Sequence, residues 1–536
     1  MFYAIIRPMK EKFYITTPLY YVNDIPHIGH AYTTVAADVL ARYKRLKGYD
    51  VFFLTGTDEH GQKIAEAAQA NGKEPQAFCD EIVTRFKSAW EIFNISYNDF
   101  IRTTEERHIK VVQSVFSQLL KSGDIYKGEY EGWYCTPCET FWTDLQLKET
   151  KLATPKAKTS GEEHAPHGNF CPDCGRPVQK IKEKTYFFKL SKYERELIKH
   201  IEANADFIKP ESRRNEVISF IKSGLKDLSV TRTAFSWGVP IAEDPKHVVY
   251  VWFDALINYI TAPGYEFNKP RFDRLWPADL HLMGKEIVRF HAVIWPCMLM
   301  ALGLKLPKTI FGHGWWTSEG QKMSKSKGNV VDPIALSKEF GVDAVRYFLL
   351  REVPFGTDGD FSHSSLITRF NSDLANDLGN LLNRSLTMVE KYFNGEVSVP
   401  KKPDLDDISS QLAQLAKDTS DIYSRHMDQL QFSEALSSVW KLVNFANNYI
   451  EKEAPWKLSK EGKNEELKAV MYNLVQVLAV SAVLTHPFMP SITENMWKQL
   501  GFSKSLADSA PAPVFGMKLA PKVSKGDPLF PRIEIK

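Results

Sequence analysis

Apolar residues in the first half of the chain follow two patterns that alternate. Short runs of β-branched and aromatic residues at 13–17 (FYITT) and 51–56 (VFFLTG) are typical of strands that are buried in a parallel sheet. Between these runs, apolar residues recur at helical spacing and stop at Gly48: they are Ala36, Ala37, Val39, Leu40, Tyr43 and Leu46. A strand, a helix and a second strand in this order predict a doubly wound, Rossmann-like α/β fold.

The middle of the chain continues with helical and extended segments. Residues 74–122 have a helical pattern with one apolar face, and we predict a helix there, with Cys79 as a core thiol. Extended segments at 227–232, 237–240 and 248–255 are predicted to return to the parallel sheet, the last of them running into a helix.

The C-terminal third is almost wholly helical in pattern. Residues 334–350 predict one helix, and residues 362 to about 500 predict a bundle of about five helices. The most apolar helix, at 474–484, contains Gln476, so we interpret it as a core helix and not as a membrane span. The alanine- and proline-rich residues after Gly501 predict an extended strap over the surface.

Composition narrows the class of protein. With 536 residues, of which 43% are hydrophobic and 25% charged, the chain has enough apolar material for several domain cores. The net charge is only +3, so any contact with nucleic acid must come from local basic patches and stacking. The N-terminus MFYAIIRPMKEK fits neither a signal peptide nor a transit peptide, and four of the six cysteines form Cys-x-x-Cys pairs. Both features favour a reducing, cytoplasmic location.

The two cysteine pairs, Cys135 with Cys138 and Cys171 with Cys174, have the spacing of metal ligands. Each pair can bind a metal from one turn, and two turns complete the tetrahedral sulfur site of structural zinc. The interval of 32 residues between the pairs is long, and its composition is that of a loop. Reduced, unligated thiols are the alternative, and two histidines of the loop are alternative ligands. We predict one structural Zn²⁺ per chain.

The stretch PHIGH, at 26–30, lies between the first predicted strand and the first predicted helix. In an open α/β sheet phosphates bind at such a junction, because the free N–H groups of the helix start and the helix dipole point out of the crevice. Gly29 allows a phosphate to approach the backbone, and His27 and His30 can donate hydrogen bonds to it. Helix capping or packing is the alternative role for the two histidines.

A second polar stretch, GQKMSKSKGN at 320–329, places three lysines among small residues and on its own is typical of a surface loop. Together, His-x-Gly-His and Lys-Met-Ser-Lys-Ser in this order resemble the paired signatures of class I aminoacyl-tRNA synthetases. The segments TTPLYYVNDIPHIGH, FLTGTDEHG, YVWFDALINY and GKEIVRFHAVIWP, with the cysteine pairs, narrow the resemblance to the family specific for methionine. This resemblance covers about Phe13 to Leu500.

Asp58 ends the second predicted strand, where a carboxylate suits an ammonium group, a ribose hydroxyl or a helix N-cap. The resemblance implies that Asp58 binds the methionine ammonium and that Arg232 lies near the substrate carboxylate. The rest of the implied methionine pocket is Leu19, Tyr21, Trp252, Ala255, Leu256, Tyr259, Ile287, His291 and Trp295. Taken singly, each aromatic residue among them fits a core position as well, and Leu256 stands where many relatives have proline.

The reaction that the resemblance implies has two steps and no protein nucleophile. The methionine carboxylate attacks the α-phosphorus of ATP and expels pyrophosphate; a terminal ribose hydroxyl of tRNA then attacks the acyl carbon of methionyl-adenylate and releases AMP. The implied catalytic residues are His27 and His30, which bond the phosphates, and Lys322 and Lys325, which neutralise the leaving pyrophosphate. Mg²⁺ is expected with the nucleotide. The implied ATP-binding set is His27, Gly29, His30, Lys322, Ser324 and Lys325.

Two features of the predicted bundle gain a role from the resemblance. Asn380 and Arg384 are four residues apart and share a helix face, and Pro455 and Trp456 follow a helix end. On their own these are ordinary surface and packing residues. In the family such positions read the CAU anticodon of tRNA(Met), with Trp456 stacked on a base. The chain stops without the further C-terminal domain that some relatives use to dimerise, so we expect a monomer that binds no membrane.

These assignments divide the chain into six predicted regions. They are two halves of a Rossmann-like catalytic domain at 1–122 and 227–318, a zinc-binding insertion at 123–226, the Lys-Met-Ser-Lys-Ser loop and stem-contact region at 319–361, an α-helical anticodon-binding domain at 362–505 and a tail at 506–536.

Other functions fit part of the pattern. Leucyl, isoleucyl and valyl synthetases share both signatures but carry a large editing insertion, for which this chain has no segment long enough. Cysteinyl synthetase uses zinc in its active site, whereas four cysteines outside the sheet form a closed site. A small-molecule nucleotidyltransferase has no need of Arg384 and Trp456. A non-catalytic tRNA-binding protein has no need of the histidines and lysines.

Overall fold

The structure is a computed structural model that describes residues 10–23, 25–135, 140–142, 147, 169–172, 175–323, 329–401, 407–509 and 514–534. Its central sheet consists of six parallel strands: β1 Lys12–Tyr21, β2 Asp50–Asp58, β3 Asp99–Arg102, β4 Ile208–Lys209, β5 Leu280–Gly284 and β6 Ile310–His313. Their order across the sheet is β3-β2-β1-β5-β6-β4. The order reverses between β1 and β5, which places a crevice outside the carboxyl ends of these two strands.

Successive residues of the central strands face opposite sides of the sheet, and each side has its own core. Ile15 and Phe53 belong to the core that includes helix α1 (Ile28–Leu46), whereas Tyr14 and Phe52 belong to the other core. Both faces are covered, so the predicted doubly wound α/β fold is confirmed. The other helical segments of this part are Gln62–Ala70, Pro75–Ile92, Glu106–Lys121, Leu190–Tyr193, Glu194–Ala203, Glu211–Lys222, Val251–Leu256, Asn258–Thr261, Lys269–Leu275, Lys285–Ile287, Phe290–Ile294 and Trp295–Ala301.

Two small antiparallel sheets lie beside the central one. The first has the strand order Thr140–Trp142, Ile125–Cys135, Gln179–Phe188, Leu228–Ser229. The second has the order Pro240–Ile241, Asp244–Val249, Thr231–Arg232. The prediction that the extended segments between 227 and 255 return to the parallel sheet is therefore wrong. An apolar run shows that a strand is buried, but it does not show which sheet the strand joins.

The C-terminal part is a helical bundle, as predicted. A connecting region contains the strands Trp316–Ser318, Gln321–Lys322 and Gly359–Phe361 and the helices Pro333–Phe340 and Val342–Arg351. The bundle helices are His363–Arg369, Phe370–Gly379, Asn380–Phe393, Asp407–Asp428, Phe432–Glu453, Pro455–Lys460, Asn464–Thr485, Pro490–Gln499 and Leu506–Ser509. The tail extends across these helices: the N–H of Val523 donates to Gly395 O at 2.8 Å, and the N–H of Ile533 donates to Asn371 Oδ1 at 2.9 Å.

In the described part of the chain, one helix, Asn464–Thr485, is long and apolar enough to cross a membrane by length and composition alone. Most of it is buried inside the protein. Its Gln476 donates to Met517 O at 2.8 Å and accepts from the N–H of Gly516 at 3.1 Å, so a polar side chain inside the core holds the tail. These contacts fit the predicted core helix.

Two predicted helices are interrupted in the structure. Residues 74–122 contain two helices with β3 between them, because a strand of only four residues is too short to disturb the apolar pattern. Residues 334–350 form two helices that meet at Gly341, where φ is +83°. That backbone conformation favours glycine and ends the first helix.

Candidate active site

Both histidines of the PHIGH stretch cap the first turn of α1. The N–H of Gly29 donates to His27 Nδ1 at 3.1 Å, and the N–H of His27 donates to His30 Nδ1 at 3.2 Å. The two imidazole rings stack with their centroids 3.8 Å apart. Because each Nδ1 accepts a hydrogen bond, a neutral ring carries its proton on Nε2, and that nitrogen is a donor. Capping and phosphate binding, which the sequence left as alternatives, are thus compatible here.

Gly29 has a steric reason to be glycine. A Cβ atom at this position would lie 2.9 Å from Cε1 of His27 and would displace the stacked ring. His30 is half-buried against Tyr20 and Phe86, with ring centroids 5.0 and 5.5 Å away. Burial, and then the neighbouring His27, lower the pKa of His30 well below its ordinary value, so this ring is neutral near pH 7.

The aromatic residues of the predicted methionine pocket come together beside this edge. Tyr21 and Trp252 meet edge to face at 6.5 Å, Trp252 lies 6.3 Å from His291, and Tyr259 lies 5.9 Å from Trp295. Leu19, Ile287 and the buried Leu256 pack into the same core cluster. Ala255 is also buried, on the helix that carries Trp252.

One hydrogen-bond chain fixes the state of His291. Its Nδ1 donates to Ile287 O at 2.9 Å, so Nε2 accepts from the Tyr259 hydroxyl at 2.8 Å. Burial lowers the pKa of His291 to about 4, which keeps the ring neutral. Tyr21, Trp252, Tyr259, His291 and Trp295 together form what we call the aromatic cup. Its surface is aromatic and neutral, which suits an apolar, polarizable ligand.

Asp58 is the last residue of β2 and pairs in register with Tyr21, the last residue of β1. It is buried, with 2% of its surface exposed. Two residues back in the same ladder, Leu19 pairs with Gly56, where a Cβ would collide with Ile101 O at 1.9 Å and with Leu19 Cδ2 at 2.9 Å. The sheet register thus places the Asp58 carboxylate at a strand end, next to Tyr21 of the predicted methionine pocket.

Arg232 lies in a small antiparallel sheet. Its guanidinium donates to Thr231 O at 2.7 Å and to Ser229 Oγ at 3.0 Å, and it lies over the Tyr250 ring at 4.4 Å. Tyr250 directly precedes the helix that carries Trp252. The structure therefore links Arg232 to one wall of the cup through Tyr250.

The second signature stretch is described in part, and the backbone that follows it lies close to the start of α1. Lys322 pairs in register with Thr317 at the end of a short strand; the Lys322 side chain, Ser324 and Lys325 lie outside the described residues. On the far side of the stretch, Val331 O accepts from the N–H of Ile28 at 3.2 Å, at the start of α1. The backbone after the second signature is thereby bonded to the backbone of the first.

Sequence reasoning missed several polar residues at the ends of β5 and β6. Thr33 Oγ1 and His313 Nε2 are 2.7 Å apart, and the Trp315 indole donates to Glu286 Oε2 at 2.6 Å. Lys285 pairs with Asp358 at 2.6 Å. The signal that singled out Asp58, a polar residue directly after a buried strand, also applies to Lys285, Glu286 and His313.

The predicted anticodon residues lie on the bundle. Asn380 starts the helix Asn380–Phe393, and Arg384, one turn later, donates to Glu451 Oε1 at 2.6 Å. Glu451 is near the end of the helix that precedes Pro455 and Trp456. Pro455 is buried, whereas Trp456 is 37% exposed and so presents an indole to solvent.

Of the four predicted zinc ligands, Cys135 and Cys171 are described, and Cys138 and Cys174 lie outside the described residues. Cys135 and Cys171 are fully buried and belong to one small apolar cluster, with Trp142, Leu147 and Val178. The N–H of Gly175 donates to Cys171 O at 2.9 Å. One thiol of each pair is thus brought into the same cluster, which fits a four-cysteine site.

Comparison with known proteins gives consistent matches over nearly the whole chain. Residues 13–386 match the family described as tRNA synthetases class I (M), and residues 407–522 match the anticodon-binding domain of tRNA ligase. A methionine–tRNA ligase of Caldanaerobacter subterraneus subsp. tengcongensis is 54% identical over 98% of this chain and 80% of its own length. A methionine–tRNA ligase of Bacillus subtilis is 51% identical over 98% of this chain and 78% of its own length.

Solved structures match the fold equally well. Mycobacterium tuberculosis methionyl-tRNA synthetase in complex with methionyl-adenylate is 41% identical, with a TM-score of 0.90 over 97% of this chain and 100% of that chain. The free form of that enzyme is 38% identical, with a TM-score of 0.85 over 98% and 99% of the two chains.

Proposed function

The chain belongs to the methionyl-tRNA synthetase family of class I, and from this premise we propose that methionine and ATP react in the crevice at the carboxyl ends of β1, β2 and β5. The activity is that of a methionine–tRNA ligase: L-methionine is activated with ATP to methionyl-adenylate, and methionine is then transferred to the 3′-terminal ribose of tRNA. The observation that carries the location is the capped histidine pair at the start of α1, beside an aromatic cup with a carboxylate at its edge.

We assign the phosphates of ATP to the start of α1. Both Nε2–H groups of His27 and His30 then donate to phosphate oxygens, and the helix dipole favours the negative charge that grows on them in the transition state. Gly29 keeps His27 in place. Lys322, Ser324 and Lys325 complete the set from the second signature and neutralise pyrophosphate as it leaves, and Mg²⁺ accompanies the nucleotide. Because the protein only aligns the two substrates, no side chain is modified during the cycle.

The methionine side chain fits the cup formed by Tyr21, Trp252, Tyr259, His291 and Trp295. A thioether gains from contact with aromatic rings, and the neutral His291–Tyr259 pair offers no charge that would favour a polar competitor. Asp58 stands at the end of the cup and pairs with the substrate ammonium. Arg232, which also contacts Tyr250, is assigned to the substrate carboxylate. Leu19, Ala255, Leu256 and Ile287 complete the apolar wall.

The anticodon of the tRNA is assigned to the surface that carries Asn380, Arg384, Pro455 and Trp456, and the predicted sequence is CAU. An exposed indole stacks on an unpaired base regardless of hydrogen bonding, and Arg384 can exchange Glu451 for a base edge. The ion pair between Arg384 and Glu451 joins the helix Asn380–Phe393 to the helix that directly precedes Pro455 and Trp456. The division of the chain at 122, 226, 318, 361 and 505, a monomeric state and a cytoplasmic location stay predictions.

Replacing Trp456 by alanine should reduce charging of tRNA and leave adenylate formation unchanged. Loss of one stacked base costs about 1–3 kcal/mol, so we expect kcat/KM for tRNA to fall by about 5- to 150-fold. Trp456→Phe keeps an aromatic face and serves as the matched control, with a much smaller loss. Equal losses in charging and in ATP–pyrophosphate exchange for Trp456→Ala would mean that the indole supports the fold and does not bind tRNA.

We further propose that Cys135, Cys138, Cys171 and Cys174 hold a structural Zn²⁺ that stabilises the insertion, which has a small apolar cluster of its own. The purified protein should contain about one zinc per chain by atomic emission, because a four-thiolate site retains zinc through purification. Cys171→Ser should lower the zinc content and the temperature at which the insertion unfolds. Cys79→Ser, a buried thiol outside the cluster, is the control and should retain its zinc. Wild-type protein that contains no zinc and has all four of these thiols reduced would refute the assignment.

A further inference from the structure

A buried carboxylate, Asp254, lies next to the aromatic cup and is hydrogen-bonded to two histidines from distant parts of the chain. Asp254 stands between Trp252 and Ala255 on the helix Val251–Leu256, and its side chain is fully buried. His60 Nδ1 lies 2.7 Å from Asp254 Oδ2, and His108 Nε2 lies 2.8 Å from Asp254 Oδ1. Both histidines are buried as well, so these three side chains form a closed polar unit inside an apolar region.

The unit joins elements that come from distant parts of the chain. His60 is two residues after Asp58, in the loop that follows β2. His108 belongs to the helix Glu106–Lys121, and its Nδ1 lies 3.4 Å from Thr261 Oγ1, on the helix that also carries Tyr259. The Asp254 carboxylate therefore ties the loop that directly follows Asp58 to the helices that carry Trp252 and Tyr259.

The proton positions in this unit follow from its chemistry. Although burial alone would raise the pKa of Asp254, His60 and His108 lower it below its ordinary value, so the group is a carboxylate and can only accept hydrogen bonds. His60 must then carry a proton on Nδ1 and His108 a proton on Nε2. His60 therefore donates to Asp254 through Nδ1, whereas His108 donates through Nε2.

The loop at His60 is also held from its other side. Glu59 accepts from Arg102 at 2.7 and 2.8 Å, and the Trp237 indole donates to Glu59 O at 2.6 Å. The Trp237 ring meets the His60 ring edge to face, at 5.5 Å. The Glu59 contacts do not involve the His60 side chain and remain when His60 is replaced, so we expect the loop to shift by a small amount and to stay attached.

We propose that Asp254, His60 and His108 are positioning residues that set the distance between Asp58 and the Trp252–Tyr259 wall, and thereby the affinity for the amino acid. The inference rests on the proposed function of this pocket. It predicts that breaking either hydrogen bond raises the KM for methionine and leaves the KM for ATP unchanged, because the histidine pair at the start of α1 lies outside the unit.

Crossed asparagine and glutamine substitutions test this directly. The side-chain nitrogen of asparagine stands near the position of histidine Nδ1, and that of glutamine stands near Nε2. His60→Asn and His108→Gln should therefore keep the donor to Asp254, whereas His60→Gln and His108→Asn should lose it. In ATP–pyrophosphate exchange we expect a KM for methionine within about threefold of wild type for the first pair, and a rise of about 10-fold or more for the second.

The crossed pattern separates positioning from packing. If asparagine and glutamine have equal effects at both positions, the hydrogen bonds do not position the pocket and the proposal is overturned. A parallel rise in the KM for ATP overturns it as well. If a His108 variant fails to fold, as judged by circular dichroism, the comparison of His60→Asn with His60→Gln tests the proposal by itself. Wild-type protein without methionine-dependent exchange would instead refute the proposed function, an outcome that is distinguishable from failure of the unit.

Discussion

Replacing Arg346 by alanine is expected to lower the free energy of unfolding by about 3–5 kcal/mol, because it removes one partner of a buried ion pair. The Arg346 guanidinium is fully buried and donates to Asp38 Oδ2 at 2.7 Å. It also donates to the carbonyl oxygens of Phe93, Pro487 and Phe488, each at 2.9 Å. With alanine at this position, the carboxylate and the three carbonyl oxygens lose the hydrogen bonds that Arg346 donates.

These contacts join three parts of the molecule. Asp38 lies on α1, the helix that starts at the histidine pair; Phe93 follows the helix Pro75–Ile92; and Pro487 and Phe488 lie between two helices of the bundle. Burial alone would raise the pKa of Asp38, but Arg346 and Arg42 hold it at about 2. The carboxylate is therefore charged at neutral pH, and the pair, with the carbonyl oxygens of Pro487 and Phe488, fastens the bundle to α1.

Urea unfolding followed by tryptophan fluorescence measures the effect. Arg85→Ala is the matched control, because Arg85 also forms an ion pair, with Glu81 at 2.8 Å, but is 52% exposed and should contribute at most about 0.5 kcal/mol. A loss below about 1 kcal/mol for Arg346→Ala would contradict the view that this pair holds the two domains together.

The second large effect is expected at Lys325. Lys325→Ala should lower the rate of methionyl-adenylate formation by about 10²-fold or more, because in the proposed mechanism this lysine makes a charged contact in the transition state. The β- and γ-phosphates gain a further negative charge as the bond to the α-phosphorus breaks, so the lysine should act more on the rate of this step than on the binding of ATP.

Rapid-quench kinetics with saturating methionine and ATP measures that rate in a single turnover. Lys327→Ala removes the same charge two residues away and serves as the control, with a change smaller than about threefold. An unchanged rate for Lys325→Ala would mean that the second signature does not take part in activation.

The sequence predicted those elements that show a clear apolar pattern within their own few residues. Buried strands that end in polar residues located Asp58 and the two histidines, and the structure brings these to one edge of the sheet through the parallel register of β1 and β2. The strand β3 was missed, since its four residues lie between two strongly periodic helices. The segment at 248–255 looked continuous, but it turns from strand to helix at Tyr250, so the buried direction of Asp254 could not be inferred.

Other features depend on contacts between residues that are far apart in the sequence. Arg346 is a charged residue within an apolar helix, a pattern that is typical of a side chain facing solvent. The groups that accept its hydrogen bonds lie more than 140 residues away, both before and after it in the sequence. The same holds for His60 and His108, whose common partner is Asp254. No periodicity or spacing in a single chain indicates such pairs.

ATP–pyrophosphate exchange, measured with each amino acid in turn and without tRNA, tests the central claim most directly. The account predicts exchange with methionine, since the crevice needs only the amino acid and ATP for the first step. Exchange that prefers another amino acid would contradict the assignment of the aromatic cup. The absence of exchange with every amino acid, in protein shown to be folded and to contain its zinc, would contradict the claim that this crevice activates a carboxylate.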